Sequence, residues 1–464
     1  MDWGYVDQPP FSIAMLWLNR LLCGDSLFAI RLLPAIIGAT VVLLAGIMTK
    51  ELGGKKFAQA LAAISVITAP LTLGVNSNFS MNSFDLLFWT LALYLLIRIV
   101  KEDNPKQWLF LGIVIGLGLL NKISVFWLGA GLVIGLILTP NRKLILTRRV
   151  WAAAGIASLL FLPHIIWQIV YGFPTLEFMR NAITIKYVEV SPLQILIEQI
   201  LNMNPITFPI WISGLTYFLI SNKIKQFRIL PIIYLTVFLI LVINKNSKSE
   251  YLGPIFPMLF ALGSFTLEKF ISRYNWRWLW PVFPAIIIMS GIVFSPFAIA
   301  VLPVKTYISY AQTLGITPST SEKKEVARLP QFYADMFGWK ELAAAAADAY
   351  DTLTPEEKSK CTIFCNNYGE AGAIDYYGKI YGLPKAISGH NNYWLWGPGN
   401  ATGEIVIRLG GSKEAILKSY EEVKQAVLFT DKYCMPYENN MPIYICRNRR
   451  TSLQEDWMKL KHYD

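Results

Sequence analysis

The residues that could do chemistry in this 464-residue chain are a few ionisable groups set against apolar neighbours. Asp7 stands just ahead of Pro9-Pro10, within Trp3-Gly4-Tyr5-Val6-Asp7-Gln8-Pro9-Pro10. Proline fixes φ and offers no backbone donor, so the pair stiffens the chain behind the carboxylate. That suits an acid held at a membrane surface, and equally a solvated N-terminal tail leading into a helix. Asp85 follows Asn82-Ser83-Phe84 and precedes Leu86-Leu87-Phe88-Trp89, about one turn inside an apolar run. An ionisable group there is expensive to desolvate and marks a functional position by default. Its alternative is a carboxylate capping a helix N-terminus, and the two roles can coexist. Lys122, in the short turn Leu120-Asn121-Lys122-Ile123, either snorkels or faces an anionic head group. Lys248 and Tyr251 lie in Asn244-Lys245-Asn246-Ser247-Lys248-Ser249-Glu250-Tyr251, which reads equally as a solvated turn or a phosphate contact.

The elements that must position these groups are membrane helices. Hydrophobic residues make up 54% of the chain and mean hydropathy is +0.42, which excludes an ordinary soluble protein. Apolar runs near 27–49, 57–75, 82–100, 107–121, 123–139, 150–171, 192–220, 228–244, 250–268 and 278–303 are long enough, or nearly so, to cross a bilayer. The run at 107–121 is short, and 192–220 is broken by Pro205 and Pro209. Residues 9–23 are too short to span and carry Arg20, which predicts an interfacial helix. The expected fold class is mainly α: a polytopic membrane helix bundle over 1–303, with outer loops near 1–26, 74–82, 171–191 and 245–250. A soluble α/β domain is expected over 304–464.

Residues 304–464 balance 19 basic against 19 acidic side chains, so the whole net charge of +11 belongs to the membrane part. There the basic residues concentrate in alternate connections: Lys50/Lys55/Lys56, Arg98/Lys101/Lys106, Arg142/Lys143/Arg148/Arg149, Lys223/Lys225/Arg228 and Lys269/Arg273/Arg277. Positive-inside asymmetry makes this set cytoplasmic. By alternation the C-terminal domain and the Asp7 stretch are extracytoplasmic, in an integral protein of the cytoplasmic membrane. A basic excess distributed this way argues against nucleic-acid binding. No hydrophobic segment precedes Asp7, so either residues 1–26 are translocated as a short tail or, the favoured reading, a further span lies upstream.

The connection 171–191 is long and aromatic, carries Glu177, Arg180, Lys186 and Glu189, and reads as an amphipathic lid. His164 reads as a hydrogen-bonded core histidine. In the tail, 339–350 and 412–426 are predicted helices, and 361–366, 403–409 and 442–446 short strands. Ser388 to Pro398, rich in aromatics and turn formers, is either a binding loop for sugar, peptide or the membrane part, or a packed loop. Cys361, Cys365, Cys434 and Cys446 all fall in the outer domain, where disulfides fit better than metal, with free thiols as the alternative. No zinc spacing, Walker loop, nucleophile elbow or complete dinucleotide fingerprint is present, so no metal ligands are assigned.

Taken in order, Trp3 to Pro10, Asn82-Ser83-Phe84-Asp85, Leu119-Leu120-Asn121-Lys122, Pro174-Thr175-Leu176-Glu177-Phe178 and Lys248-Ser249-Glu250-Tyr251-Leu252-Gly253-Pro254 resemble the dolichyl-phosphate-mannose protein mannosyltransferase type of membrane glycosyltransferase, aminoarabinose lipid A transferases included. The tail's Tyr368-Gly369-Glu370-Ala371-Gly372 and His390 to Pro398 are similar to those of one bacterial subgroup. The resemblance implies a GT-C fold and transfer of a sugar from a polyprenyl-phosphate donor to an acceptor hydroxyl on a glycan, lipid or protein. It makes Asp7 and Asp85 the catalytic-cavity acids and Lys122, Lys248 and Tyr251 phosphate or head-group contacts. Tyr5, Gln8, Glu177 and Arg180 fall on the substrate side, Gln8 standing where the family often has Lys or His. The family's principal acid, in an Asp-Glu pattern after a first spanning helix, has no counterpart in this sequence. No cofactor is assigned, and a divalent metal is neither required nor excluded. The alternative is a non-catalytic polyprenyl-phosphate binder or transporter. Transporters place ionisable groups near the midplane, whereas these cluster at one face.

Overall fold

The computed structural model describes every residue except Met1, Asn246, Ser247 and Ser321. It divides into two compact units. One comprises residues up to Gly4, Gln8–Phe173 and Val188–Leu302; the other comprises Tyr5–Asp7, Pro174–Tyr187 and Pro303–Asp464.

The first unit is helical. Among the described residues, six helices are long and apolar enough to cross a membrane: Leu27–Glu51, Met81–Glu102, Arg148–Val170, Asn222–Ile243, Ser249–Tyr274 and Leu279–Phe297. Three bent pairs bring the number to nine if each counts as one span. They are Lys56–Ile67 with Pro70–Ser77 at 60°, Val125–Ile137 with Pro140–Leu146 at 111°, and Pro192–Asn202 with Pro205–Ile220 at 101°. The last bend falls at Asn204-Pro205, where proline removes the backbone donor and Asn204 takes a positive φ of 65°. Pro105–Leu119 is a shorter apolar helix, as is Phe11–Cys23.

Polar caps set several of the starts. The Ser26 hydroxyl accepts from Ala29 N, and the Asn104 side chain accepts from Lys106 N just ahead of Pro105. Small residues set the closest approach between helices: a Cβ on Gly263 would lie 2.0 Å from Ile210 O, and one on Gly214 2.4 Å from Gly263 N. Backbones so close give van der Waals contact where apolar burial supplies little driving force between helices in lipid. Met81–Glu102 lies deep in this bundle, with Trp89, Leu93, Leu96 and Ile97 buried against Val41, Met48 and Leu61.

The second unit is built on a mixed sheet of strands β1 (Cys361–Cys365), β2 (Ala386–Ser388), β3 (Ile405–Leu409), β4 (Tyr420–Phe429) and β5 (Met441–Arg449), in the order β2-β1-β3-β5-β4. β1 runs parallel to β2 and β3, while β5 is antiparallel to β3 and β4. Alternation gives the sheet two apolar faces. Ile363, Cys365, Ile407, Leu409, Ile443 and Ile445 pack with Leu342, Ala346 and Ala349 of the helix Trp339–Asp351. Phe364, Val406, Tyr444 and Cys446 pack with Tyr420 and Trp457.

Two expectations for this unit are corrected. Residues 412–426 form a short turn of helix, Lys413–Ile416, and then the long strand β4 with a bulge between Gln425 and Val427. Pairing along β5 outweighs the helical spacing of that segment. All five cysteines are free. Cys361 and Cys365 are the two ends of one strand, where four residues of rise, about 13 Å, exceed the reach of a disulfide.

Candidate functional site

In the helical unit the site forms where Met81–Glu102 begins. The Ser80 hydroxyl accepts from Asn82 N and starts the helix, and the Ser83 hydroxyl donates to Val75 O. The turn after Pro105–Leu119 is drawn to the same place, because Asn121 Nδ2 donates to Met81 O at 2.8 Å. Phe11 N donates to Leu120 O at 2.9 Å and ties the N-terminal helix to that turn.

These ties aim the side chains. Asp85 is 2% exposed, and both its oxygens accept from Ser124 Oγ at 3.1 Å. Lys122 Nζ lies 3.5 Å from Asp85 Oδ2 and donates to Asn82 Oδ1 at 2.8 Å. The same ammonium sits 4.9 Å from the centroid of the Tyr251 ring, which in turn packs on Trp127 at 5.7 Å. Asp85, Lys122 and Tyr251 are thus brought together, with Asn82 and Ser124 as further partners. The sequence reading missed Ser124, although its place two residues after Lys122, in the same turn, was a usable signal. Lys248 is partly buried, and its carbonyl accepts from Tyr251 N at 3.1 Å. Its neighbours Asn246 and Ser247 lie outside the described residues. Gln8 belongs to this unit and is partly buried. His164 is a buried histidine hydrogen-bonded to Trp3 O at 3.0 Å.

Chemically, a carboxylate at the end of a spanning helix is neutralised by one ammonium rather than left as an isolated buried charge. The ammonium has further donors and an aromatic face beside it, the equipment of a site for a phosphate or a developing negative charge.

Tyr5 and Asp7 lie in the second unit, as do Glu177 and Arg180. The backbone of Tyr5–Asp7 is fixed at two points: Val6 N donates to Asn392 Oδ1 at 2.7 Å, and Thr175 Oγ1 donates to Tyr5 O at 3.4 Å. Burial pushes the Asp7 carboxyl up, while a backbone hydrogen bond and the nearby Lys186 charge oppose that shift. Glu177, on the helix Pro174–Ile185, pairs with Lys461 at 2.7 Å, whereas Arg180 on the same helix is exposed.

At the carboxyl ends of β1 and β2 lie the loops 366–370 and 389–392. His390, His462 and Asp464 each bring one ligand atom within 4.8 Å of the others, a group that could hold a metal ion. The protein already engages it. His390 Nδ1 accepts from Tyr368 N at 3.4 Å, so Nε2 carries the proton and donates to Asp464 O at 2.9 Å. Burial pushes His390 down, toward that neutral form. Spacing could not reveal this group, because the segment around His462 docks beside Gly389 by His462 N to Gly389 O and Asn391 N to His462 O. A small cleft in the same unit is lined by Asp335, Phe337, Trp339, Leu342 and Glu438 among others. Burial, with the Glu322 charge, raises Asp335 there to about 6.

The architecture matches solved structures of one other protein over nearly the whole chain. The chain aligns with ArnT from Cupriavidus metallidurans in the apo state at a TM-score of 0.62 and 15% identity, covering 96% of this chain and 90% of that one. It aligns with the same protein bound to undecaprenyl phosphate at 0.62 and 12%, with the same coverage. This is therefore a polytopic membrane protein of the ArnT-like GT-C fold. Residues 7–167 match the family described as dolichyl-phosphate-mannose-protein mannosyltransferase. Among curated proteins, it is similar to the lipid A galacturonosyltransferase RgtD of Rhizobium johnstonii, 25% identical over 182 residues, 39% of this chain and 38% of the relative. The lipopolysaccharide core galacturonosyltransferase RgtB of the same organism is 28% identical over 174 residues, 35% and 34% of the two chains. Each match spans little more than a third of the relative's length.

Proposed function

We propose that this chain is a glycosyltransferase that moves a sugar from a polyprenyl-phosphate donor to an acceptor hydroxyl at the outer face of the cytoplasmic membrane. The observation that carries this is the buried Asp85–Lys122 pair, at 3.5 Å, inside the segment that matches the family. Asp85 accepts the proton of the acceptor hydroxyl as it attacks the sugar's anomeric carbon. The polyprenyl phosphate leaves with the bonding electrons, and Lys122 stabilises its charge beside Tyr251. Lys248 and Gln8 lie on the donor side, while Tyr5, Asp7, Glu177 and Arg180 act from the outer unit. The basic connections face the cytoplasm, which leaves residues 303–464 outside the cell.

The undecaprenyl phosphate bound by ArnT supports a polyprenyl-phosphate donor. The names of the two relatives make galacturonic acid the first sugar, and lipid A or lipopolysaccharide core the first acceptors, to assay.

The test is single-turnover transfer by the purified full chain, using a labelled polyprenyl-phosphate sugar. Product formation that disappears in Asp85→Asn, with lipid binding retained, is expected. Binding without turnover in the unmutated chain would identify a non-catalytic lipid binder, and flux of the lipid-linked sugar across vesicles would identify a transporter.

A further inference from the structure

The loop Ser388 to Pro398 carries two asparagines whose remaining hydrogen-bonding capacity is unspent and buried. Asn391 is 3% exposed and Asn392 8% exposed. Asn391 Nδ2 donates to Asp464 O at a long 3.5 Å, and among the described residues Oδ1 has no partner. Asn392 Oδ1 accepts from Val6 N at 2.7 Å, and that N–H can only donate, so Nδ2 has no partner among the described residues. One orphaned acceptor and one orphaned donor thus stand on adjacent residues. Such groups are rarely left bare in a folded protein, and when they occur they call for a ligand or ordered water.

Their setting narrows the ligand. Asn391 holds a positive φ of 46°, a conformation that asparagine tolerates better than most side chains, and it opens the helix Asn391–Trp396. The backbone bond from Val6 to Asn392 places Asp7 one residue away from the asparagine pair. The Tyr368 ring packs tilted against His390 at 4.8 Å, and His390 stacks on His462 at 4.7 Å. These groups follow the carboxyl ends of parallel strands β1 and β2, the end of an open α/β sheet at which ligands bind. An acceptor and a donor on adjacent residues, in a loop that also carries flat rings, match neighbouring hydroxyls of a sugar ring, each of which both donates and accepts.

We infer that Asn391 Oδ1 and Asn392 Nδ2 form a sugar-hydroxyl subsite of the outer unit, which fixes the orientation of a glycan for the transferase. The inference rests on the transferase reading for its purpose but not for its binding chemistry. The ring can come from the acceptor glycan or from the donor sugar.

The test uses the full chain in lipid nanodiscs, with free galacturonic acid and galactose as probes in ligand-observed NMR. Asn392→Asp keeps the oxygen that accepts from Val6 and removes the orphaned donor, and about a tenfold loss of sugar affinity is expected. Asn391→Gly keeps the backbone conformation and removes the orphaned acceptor, with a similar expected loss. Asn391→Asp keeps an acceptor oxygen while losing the donor to Asp464, and it is expected to retain binding. Hydrogen exchange over β1 and β2 confirms that each variant is folded, and a variant that fails this check leaves the decision to the other two. Equal affinity in the unmutated chain and the folded variants overturns the inference. So does the absence of sugar binding in the unmutated chain, which leaves ordered water as the partner, or a loss in Asn391→Asp as large as in Asn391→Gly, which shows a purely structural tie. In the transfer assay, a raised acceptor KM assigns the subsite to the acceptor and a raised donor KM to the donor. Sugar binding that responds to these variants in a chain without turnover sinks the transferase reading and leaves the subsite standing.

Discussion

The two units each bury a carboxylate, and they make it tolerable by different means. Asp85 in the helical unit has a cation, Lys122, at 3.5 Å and a hydroxyl donor from Ser124. Glu370 in the sheet unit is also 2% exposed, but its close ionisable neighbour is a second acid, Glu438. Asn367 Nδ2 donates to both, at 3.1 and 2.9 Å. Glu370 sits in the first turn of the helix Tyr368–Tyr377, where the helix dipole favours a charged carboxylate. Burial first, and then the Glu438 charge, override that and push Glu370 to about 8. The first acid is balanced by a fixed positive charge and the second by a proton. A cation keeps a carboxylate available for chemistry, whereas a shared proton makes a structural latch that responds to pH.

The largest effect that would break this contrast is on turnover. Asp85→Asn is expected to reduce single-turnover transfer by about 10²–10⁴-fold, the usual worth of a general base, with membrane insertion intact. A rate within threefold of the unmutated chain would remove Asp85 from the chemistry.

Next in size is Lys122→Met, which leaves Asp85 buried without its cation and should cost about 3–5 kcal/mol of stability in the helical unit. The double change Asp85→Asn with Lys122→Met removes both charges and should recover most of that loss. Thermal aggregation of the purified chain in nanodiscs would measure it, and no recovery would show that the pair is not coupled.

The sheet unit supplies a pH test. The folded pKa of Glu370, about 8, lies above the ordinary value of 4.5, so the folded form holds a proton that the unfolded chain releases. The stabilisation is therefore complete below pH 4.5 and is lost as pH rises through about 8. Hydrogen exchange in β1 should accelerate across that window, and Glu370→Gln should flatten the dependence. The smallest effect belongs to the half-buried pair Lys461–Glu177, whose side chains are 27% and 44% accessible. Lys461→Met should change stability by no more than about 1 kcal/mol, less at high salt, in the same exchange measurement.

Most helices of the helical unit were legible because apolar length is a direct consequence of the bilayer. Asp85 and Lys122 were legible for the same reason: ionisable residues at the ends of apolar runs are costly and conspicuous. Their pairing was less so, since it depends on the turn at Asn121 being drawn to Met81 O. The sheet unit was read less well. Residues 420–429 carry a helical spacing of apolar and charged side chains, yet they fold as β4, because antiparallel pairing with the next strand, β5, overrides that local spacing. The histidine group at 390 and 462 could not be read at all, since a fold-level docking brings the two rings together.

That same sheet has two edges, and both resist pairing with another molecule. β2 is three residues long, and β4 shows Glu421, Glu422, Lys424 and Gln425 around the irregularity at 425–427. Short, charged or bulged edges are poor templates for an incoming strand. A domain held at high local density in the plane of a membrane meets its own copies continually, and these edges let it do so without seeding aggregates.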